Sequence, residues 1–319
     1  MQKELKLSSR NALRFIDDHT IAIRTDLDAG RINYALSREL AEFELELNFA
    51  KTRHIGVGGQ SEPSWVSELA LFSLDRFRQK KALDRYFERA FHLADEFPDA
   101  NVLRYAMRRA SSFPVGDDEW SHFQLLLQQA VRRSGGSLIS DFSTILVNAN
   151  FKGRPVAKEE AKEFAHDLIL RSSPLRYTHE VAWCLFLAKA LKLPVTAEVC
   201  KGVLEMESSV CSLILVDLFN RKLVTHKLAA ALWKKYLNSD GLRSPLWLLV
   251  YELHRKEWLE LKARGSFVDN NAHFGPLLKN GVFFYDEKKN VQKLEKERRV
   301  LRAQRQRIRF VFAHLDEYF

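Results

Sequence analysis

The sequence predicts a mainly α protein, in which a short mixed α/β segment at the N-terminus precedes a large all-α domain. Three observations support this fold class. Nearly every segment of residues 65–262 carries apolar side chains at helical spacing, whereas strand-like alternation is confined to the first 60 residues. The breaks between the helical segments are short and contain most of the prolines and glycines. A hydrophobic content of 46% over 319 residues is enough for substantial cores and favours two domains.

The N-terminal segment begins with a predicted β-hairpin over residues 5–24, whose tip carries the adjacent carboxylates of Asp17 and Asp18. Helical spacing then predicts a helix over residues 28–44. Residues 45–57 return to an extended pattern and are predicted to form a strand. Three glycines and a proline follow directly, so we place the boundary of this first domain at residues 1–60.

A predicted all-α domain of helical hairpins covers residues 61–285. The sequence shows no strict internal repeat, so a regular solenoid is only one of the arrangements that stacked hairpins allow. Its candidate helices cover residues 65–83, 86–96, 101–112, 119–133, 138–150, 158–170, 178–191, 196–206, 210–219, 225–237 and 245–262.

The third segment, residues 286–319, is a predicted basic C-terminal helix. Ten Lys or Arg and two Glu lie between Lys288 and Arg309, and an apolar residue recurs every seven positions. Three interpretations stay open: a solvated helix docked on the body, an arm that contacts phosphates, and a helix that binds a partner. The candidate phosphate contacts of this segment are Arg298, Arg302 and Arg305.

Charge and composition restrict the partners and the compartment. Fifty Lys and Arg against forty-one Asp and Glu give a net charge of +9, which favours a polyanion such as nucleic acid. The sequence has no run of eighteen apolar residues and no signal-peptide pattern, so we expect a soluble cytoplasmic protein without a membrane partner. Cys184, Cys200 and Cys211 lack metal-ligand spacing and are predicted to be reduced, mostly buried thiols.

Two motifs point to a chemical activity. The sequence RFIDD occupies residues 14–18, and LNFAKT occupies residues 47–52. Adjacent carboxylates on a tight turn offer the oxygen ligands that divalent cations require. Each motif also has an ordinary interpretation, because Asp is common in turns and Lys51 fits a surface position at the start of a strand.

The order of these motifs resembles the palm domain of reverse transcriptases, where an aromatic-x-Asp-Asp hairpin and a helix precede an LN-x-x-KT segment. The resemblance covers roughly the first 70 residues, with Phe15 in place of the commoner tyrosine. Residues 178–183 are more loosely similar to the helical C-terminal extensions of abortive-infection reverse transcriptases, which act in antiviral defence. The resemblance implies an RNA-directed DNA polymerase that copies an RNA template into a DNA product from deoxynucleoside triphosphates (dNTPs).

The resemblance also implies roles for individual residues. Asp17 and Asp18 would bind Mg²⁺ in a two-metal site, with Asp17 as the more direct ligand. Lys51 would stabilise the phosphates of the incoming nucleotide or protonate the leaving pyrophosphate, and Arg53 would extend this basic lining. Arg14 would either support Asp17 or contact backbone phosphate.

One metal ligand of the family has no counterpart in this sequence. The other metal-binding aspartate of reverse transcriptases lies in a strand well upstream of the hairpin, and only sixteen residues precede Asp17 here. The Mg²⁺ site is therefore incomplete in this chain. We expect the polypeptide to be inactive alone and to require an N-terminal polymerase portion or a partner subunit.

The alternative is a non-catalytic helical module that binds nucleic acid or protein and keeps a vestigial hairpin. Burial separates these two hypotheses. A palm end without its sheet neighbours leaves an exposed apolar patch, whereas a self-contained module buries the same side chains. The side chains that decide between them are Ile16, Ile21, Ile23, Leu45 and Leu47.

Overall fold

The chain divides into two compact units, Met1–Ser64 and Trp65–Phe319. The computed structural model describes residues 12–15, 18–23, 26–49, 51–55, 63–75, 77–224, 236–258 and 267–288. The described residues of the first unit form two strands and one helix: β1 Ala12–Phe15, β2 Asp18–Ile21 and α1 Asp26–Ala41. The strands pair antiparallel from Ala12 opposite Ile21 to Phe15 opposite Asp18. The predicted hairpin and the helix that follows it are therefore confirmed.

The strand predicted over residues 45–57 is wrong, because the described residues of this segment contain turns and no strand. Asn48 is the physical reason. Its carbonyl oxygen accepts hydrogen bonds from the backbone N–H of Thr52 at 3.1 Å and from the Thr52 hydroxyl at 3.0 Å. Its side-chain oxygen also accepts the N–H of Lys51 at 3.3 Å. A short amide side chain that captures nearby backbone groups in this way favours a turn over an extended strand.

The second unit is helical, which confirms the mainly α fold. Its helices are α2 Ser64–Leu71, α3 Gln79–Glu96, α4 Val102–Ala110, α5 Trp120–Arg133, α6 Ile139–Phe151, α7 Lys158–Ser172, α8 Thr178–Leu191, α9 Ala197–Glu205, α10 Ser209–Asn220, α11 Trp247–Arg255 and α12 Phe274–Lys279, with a 3₁₀ turn at Gly241–Arg243. No helix among the described residues is long and apolar enough to cross a membrane. The helix predicted over residues 225–237 lies largely outside the described residues, as does the basic segment beyond Lys288.

One predicted helix, residues 65–83, is divided in the structure between α2 and the start of α3. Two interactions hold the intervening residues out of helical geometry. The guanidinium of Arg109 donates to the carbonyl oxygen of Phe72 at 3.2 Å, and the carboxylate of Asp75 accepts the N–H of Phe77 at 2.9 Å. The first is a tertiary contact across 37 residues, which helical periodicity does not encode.

The helices of the second unit stack in two layers. Among the even-numbered helices, α6 packs on α4, α8 on α6 and α10 on α8, while α3 packs on α5 and α7 on α9. Successive hairpins are also joined by side-chain contacts at similar sequence offsets. Arg108 binds Asp141 across 33 residues, and Arg154 binds Asp117 across 37 residues. This arrangement is an α-solenoid, with a structural repeat that is not apparent as a strict sequence repeat.

Helices α6, α8 and α10 share one type of C-terminal ending. After α8, Lys192 adopts a left-handed conformation with φ 58°, and the N–H of Leu193 donates to the carbonyl oxygen of Ala188 at 2.8 Å. Gly153 after α6 and Lys222 after α10 occupy equivalent positions, with φ 75° and 60°. This is the Schellman arrangement, which satisfies free carbonyl groups at a helix end and reverses the chain.

The solenoid has a continuous apolar core, and the three cysteines lie within it. Cys184, Cys200 and Cys211 are all unpaired and buried, which confirms the prediction made for them. Burial raises the pKa of the Cys200 thiol to about 11, so the thiol stays protonated and unreactive at neutral pH.

Replacing Lys192 by Gly is expected to raise the free energy of unfolding by about 0.5–1 kcal/mol, because Gly adopts positive φ without a Cβ clash. Urea unfolding of both proteins measures the change. Lys201→Gly is the matched control, since Lys201 is an exposed lysine within α9. The Lys201→Gly variant should instead have a free energy of unfolding about 1 kcal/mol lower than that of the wild type, because Gly is unfavourable inside a helix. An equal loss in both variants would contradict the prediction.

Candidate functional site

The predicted catalytic hairpin is present in the N-terminal unit. Phe15 pairs with Asp18, so the two strands are separated in sequence by only two residues, Ile16 and Asp17. A two-residue connection is the tightest common hairpin and displays its residues at the tip. The structure describes the backbone of Asp18 as the first residue of β2, while Asp17 and the side chain of Asp18 lie outside the described residues.

The predicted phosphate-binding residues are distributed over two parts of this unit and the C-terminal segment. Arg14 is exposed on β1, where it pairs with His19 across the hairpin. Lys51 and Arg53 are exposed in and after the turn that Asn48 closes. The remaining three predicted contacts, Arg298, Arg302 and Arg305, lie outside the described residues.

The LN-x-x-KT motif has a local structural explanation. Asn48 closes the turn, and Thr52 is bound to it through both its backbone N–H and its hydroxyl. Lys51 lies between them, with its N–H bonded to Asn48 and its side chain in solvent. The Asn and Thr of the motif therefore hold the backbone that presents the lysine.

The N-terminal unit exposes many large apolar side chains. Helix α1 buries one stripe, which consists of Ala29, Ile32, Ala35 and Leu36. Outside this stripe, six large apolar residues are more than half exposed: Leu13, Tyr34, Phe43, Leu45, Phe49 and Ile55. Of the five side chains that distinguish the two hypotheses, Leu45 is exposed and Ile21, Ile23 and Leu47 are half-buried. Ile16 lies outside the described residues. None of the four that are described is buried.

Among the described residues, no three His, Cys, Asp or Glu side chains come together as metal ligands would. The metal ligands predicted from sequence, Asp17 and Asp18, are not among the described side chains. Both offer carboxylate oxygens, the ligand type that Mg²⁺ prefers. Two adjacent carboxylates can supply only part of the coordination shell of a cation, and a complete Mg²⁺ site would need further oxygen ligands.

A buried network of charges, which the sequence analysis missed, lies on α8, α10 and α11. The side chain of Asp217 is only 3% exposed. Its carboxylate accepts hydrogen bonds from Lys189 at 2.7 Å, Arg221 at 2.7 Å and the hydroxyl of Tyr285 at 2.6 Å. Burial alone would raise the pKa of Asp217, but these three donors hold the pKa below its ordinary value.

Glu252 is the second buried carboxylate of this network, and it binds backbone groups. One oxygen accepts the N–H groups of Phe284 at 2.6 Å and Tyr285 at 3.2 Å, while the other accepts from Arg255 at 3.0 Å. The contacts of Asp217 and Glu252 converge on residues 282–287, an irregular segment that we call the strap.

The ends of the strap are also fixed. The hydroxyl of Tyr251 donates to the carbonyl oxygen of Val282 at 2.7 Å, and the guanidinium of Arg221 donates to that of Glu287 at 2.7 Å. The Glu287 carboxylate pairs with Lys256. The network therefore attaches the strap to three helices, and its role in this region is structural.

The sequence did contain a signal for this network. Asp217 is the single acidic residue in the apolar helix SVCSLILVDLFN, and Glu252 is the single acidic residue in WLLVYELHR. An isolated carboxylate at a core position of a helix indicates a buried partner, because an unpaired buried charge is costly. Periodicity alone does not identify that partner, which lies 68 residues from Asp217 in the case of Tyr285.

Comparisons of the chain with protein-family models, with curated proteins and with solved structures give no match.

Tyr285→Phe is expected to lower the free energy of unfolding by about 1–3 kcal/mol, because it removes a hydrogen bond from the buried Asp217 carboxylate. Chemical denaturation measures the loss. Tyr177→Phe is the matched control at a half-exposed tyrosine. It should change the stability by less than about 0.5 kcal/mol.

Acid is expected to destabilise the second unit through Asp217. A folded-state pKa below the unfolded value means that the stabilisation is complete above the unfolded pKa and is lost as pH falls through the folded pKa. Unfolding free energies measured from about pH 6 to about pH 3 should therefore fall. The Asp217→Asn variant should have a lower free energy of unfolding than the wild type at pH 6. Its free energy of unfolding should then fall less than that of the wild type as the pH is lowered. Asp99→Asn, at an exposed loop position, should follow the wild type. If the unfolding free energy of Asp217→Asn depended on pH as steeply as that of the wild type, Asp217 would not be the group responsible.

Proposed function

We propose that this chain is the C-terminal part of an RNA-directed DNA polymerase of the reverse-transcriptase type: the end of the palm joined to a helical solenoid. The reaction is attack of a primer hydroxyl on the α-phosphate of a dNTP, with release of pyrophosphate. The proposal combines the two sequence motifs with the burial pattern of the N-terminal unit.

The exposed apolar surface of the N-terminal unit is the observation that carries the proposal. Leu13, Phe43 and Phe49 are 69%, 73% and 64% exposed, although each would be favoured in a core. Within the described residues the hairpin forms a sheet of two strands, which is too small to be stable without further packing. These properties are expected of a palm end that is separated from its remaining strands, and they disfavour a self-contained module.

The residues of the chain would divide the chemistry between the hairpin and the turn. Asp17 and Asp18 would hold Mg²⁺, which when bound neutralises charge on the reacting phosphates. Lys51 would place its ammonium group against the phosphates of the incoming nucleotide, and Arg53 would add positive charge beside it. Arg14, one residue before the paired Phe15, would orient Asp17 or contact the phosphate backbone of the nucleic acid.

A separate polymerase portion would complete the site. It would supply the missing carboxylate and the sheet neighbours that cover the exposed apolar side chains of the hairpin unit. Such a surface is also an aggregation hazard, so a covering partner stabilises the chain as well as the active site.

A second candidate function is a helical binding module, and the solenoid is the observation that favours it. Stacked helical hairpins present extended surfaces to macromolecules, and this property does not require a catalytic hairpin. The two functions differ in their dependence on Asp17, because a binding module is unaffected when that carboxylate is neutralised.

Asp17→Asn is expected to lower RNA-templated DNA synthesis by at least about 100-fold, because one metal-binding charge is lost. The enzyme tested is the tagged chain isolated from its native cell together with its associated polypeptides. The assay measures incorporation of labelled dTTP on poly(rA) primed with oligo(dT) in the presence of Mg²⁺. Removing Mg²⁺ with a chelator should abolish the same activity.

Asp99→Asn is the control for loss of one negative charge and should keep wild-type synthesis. The intact mass of the isolated chain, compared with the 37.0 kDa of this sequence, shows whether the missing portion is covalently attached. Wild-type preparations without templated synthesis, or synthesis that survives Asp17→Asn, would rule out the polymerase and leave the binding module.

A further inference from the structure

Acidic side chains are numerous on α3 and α7 and few on α4, α6 and α8. Helices α3 and α7 of the odd-numbered layer each contain four Asp or Glu residues. Helices α4, α6 and α8 together contain two, Asp141 and Glu180. A polyanion therefore meets few negative charges on α4, α6 and α8.

The side chains of α4, α6 and α8 that remain accessible form a surface that we call the even face. The three helices pack side by side and are joined by hydrogen bonds. Arg108 on α4 donates to Asp141 on α6 at 2.8 Å, and Ser143 on α6 donates to the carbonyl oxygen of Trp183 on α8 at 3.4 Å. The even face therefore extends over three neighbouring helices rather than along one.

The even face has an excess of positive charge. Arg104 and Arg108 both approach Asp141, at 3.5 Å and 2.8 Å, so one carboxylate is opposed by two guanidinium groups. The side chain of Arg108 is 68% exposed, while that of Asp141 is only 12% exposed. Lys152, at the end of α6, is also exposed, and it forms no ion pair within the described part of the chain.

Aromatic rings occupy the α8 part of the even face. His179, Trp183 and Phe186 lie on one side of the helix, where His179 is exposed and Trp183 and Phe186 are partly accessible, with the rest of each ring packed against the core. The rings of Trp183 and Phe186 are 5.3 Å apart and nearly perpendicular, and His179 is 6.4 Å from Trp183. Solvent-accessible rings beside cations are the two elements that bind unpaired bases and their phosphates.

We propose that the even face binds single-stranded nucleic acid, with bases stacked on Trp183 and its neighbours and phosphates held by Arg108 and Lys152. Stacking requires unpaired bases, so a duplex offers only its phosphates to this surface. An acidic peptide would use the cations but has no flat bases for the rings. This inference rests on the proposed function for the identity of the strand as template or product, but binding itself does not require synthesis.

Trp183→Ala is expected to weaken binding roughly 5- to 100-fold, the effect of losing one stacked base. The probe is a fluorescein-labelled twenty-nucleotide oligo(dT) or oligo(U), and fluorescence anisotropy of the full chain measures its dissociation constant. Trp183→Phe keeps a ring and should bind within about threefold of the wild type. Thermal melting of each variant reports whether the solenoid remains folded.

A pair of surface substitutions tests the cations without altering the core. Arg108→Gln with Lys152→Gln should weaken binding and reduce the slope of log affinity against log salt by about 1–2. Lys80→Gln with Lys81→Gln on α3 removes the same net charge from the odd-numbered layer. This control should leave both the affinity and the salt slope unchanged.

Three results would each overturn the proposal: equal weakening by the two charge pairs, wild-type affinity in Trp183→Ala, or equal displacement of oligo(dT) by polyglutamate. Equally tight binding of a twenty-base-pair duplex would also contradict it, because the rings would then contribute nothing. Asp17→Asn should bind like the wild type. Failure of the polymerase and failure of the even face are therefore measured by different variants.

Discussion

Stacking between neighbouring helical hairpins is the constraint on which the second unit depends. A single hairpin of this kind cannot bury its own apolar side chains, so each helix obtains its core from the next. Helix α8 shows this directly, since it packs against α6, α7 and α10 and buries Val181, Cys184 and Leu185 completely. The strap then packs on α8, α10 and α11, where Asp217 and Glu252 hold it in place.

The N-terminal unit follows the opposite principle. It forms local structure from local signals, namely a two-residue hairpin connection, one amphipathic helix and an Asn-closed turn. Its described residues contain no second layer that covers the outer side of these elements. Its large exposed side chains therefore reflect incomplete tertiary packing of the described residues rather than poor local structure.

Structure that depends on local sequence could be predicted, whereas structure that depends on tertiary contacts could not. Helical periodicity located α3 to α11 because their apolar residues recur at the helix period, as in α4 with Val102, Ala106 and Ala110. It failed at residues 72–78, where Arg109 from a distant helix holds the chain, and at α12, which has only six residues. The extended pattern of residues 45–57 was misleading because Asn48 closes a turn within it. The hairpin position was predictable, but the strap was not, since its contacts join residues 31–68 positions apart.

Charge is distributed unevenly between the two units. Residues 1–64 contain nine Lys and Arg and ten Asp and Glu. Residues 65–319 contain forty-one Lys and Arg and thirty-one Asp and Glu. A catalytic site built on carboxylates repels its polyanionic substrate until a cation is bound, so affinity for the strand has to arise elsewhere in the protein. The excess positive charge belongs to residues 65–319, and residues 288–309 alone carry ten Lys and Arg against two Glu. Helices α4, α6 and α8 add accessible cations and partly accessible rings. Under the proposed function, the solenoid would supply affinity for nucleic acid and the hairpin would supply chemistry, so each could be lost without the other.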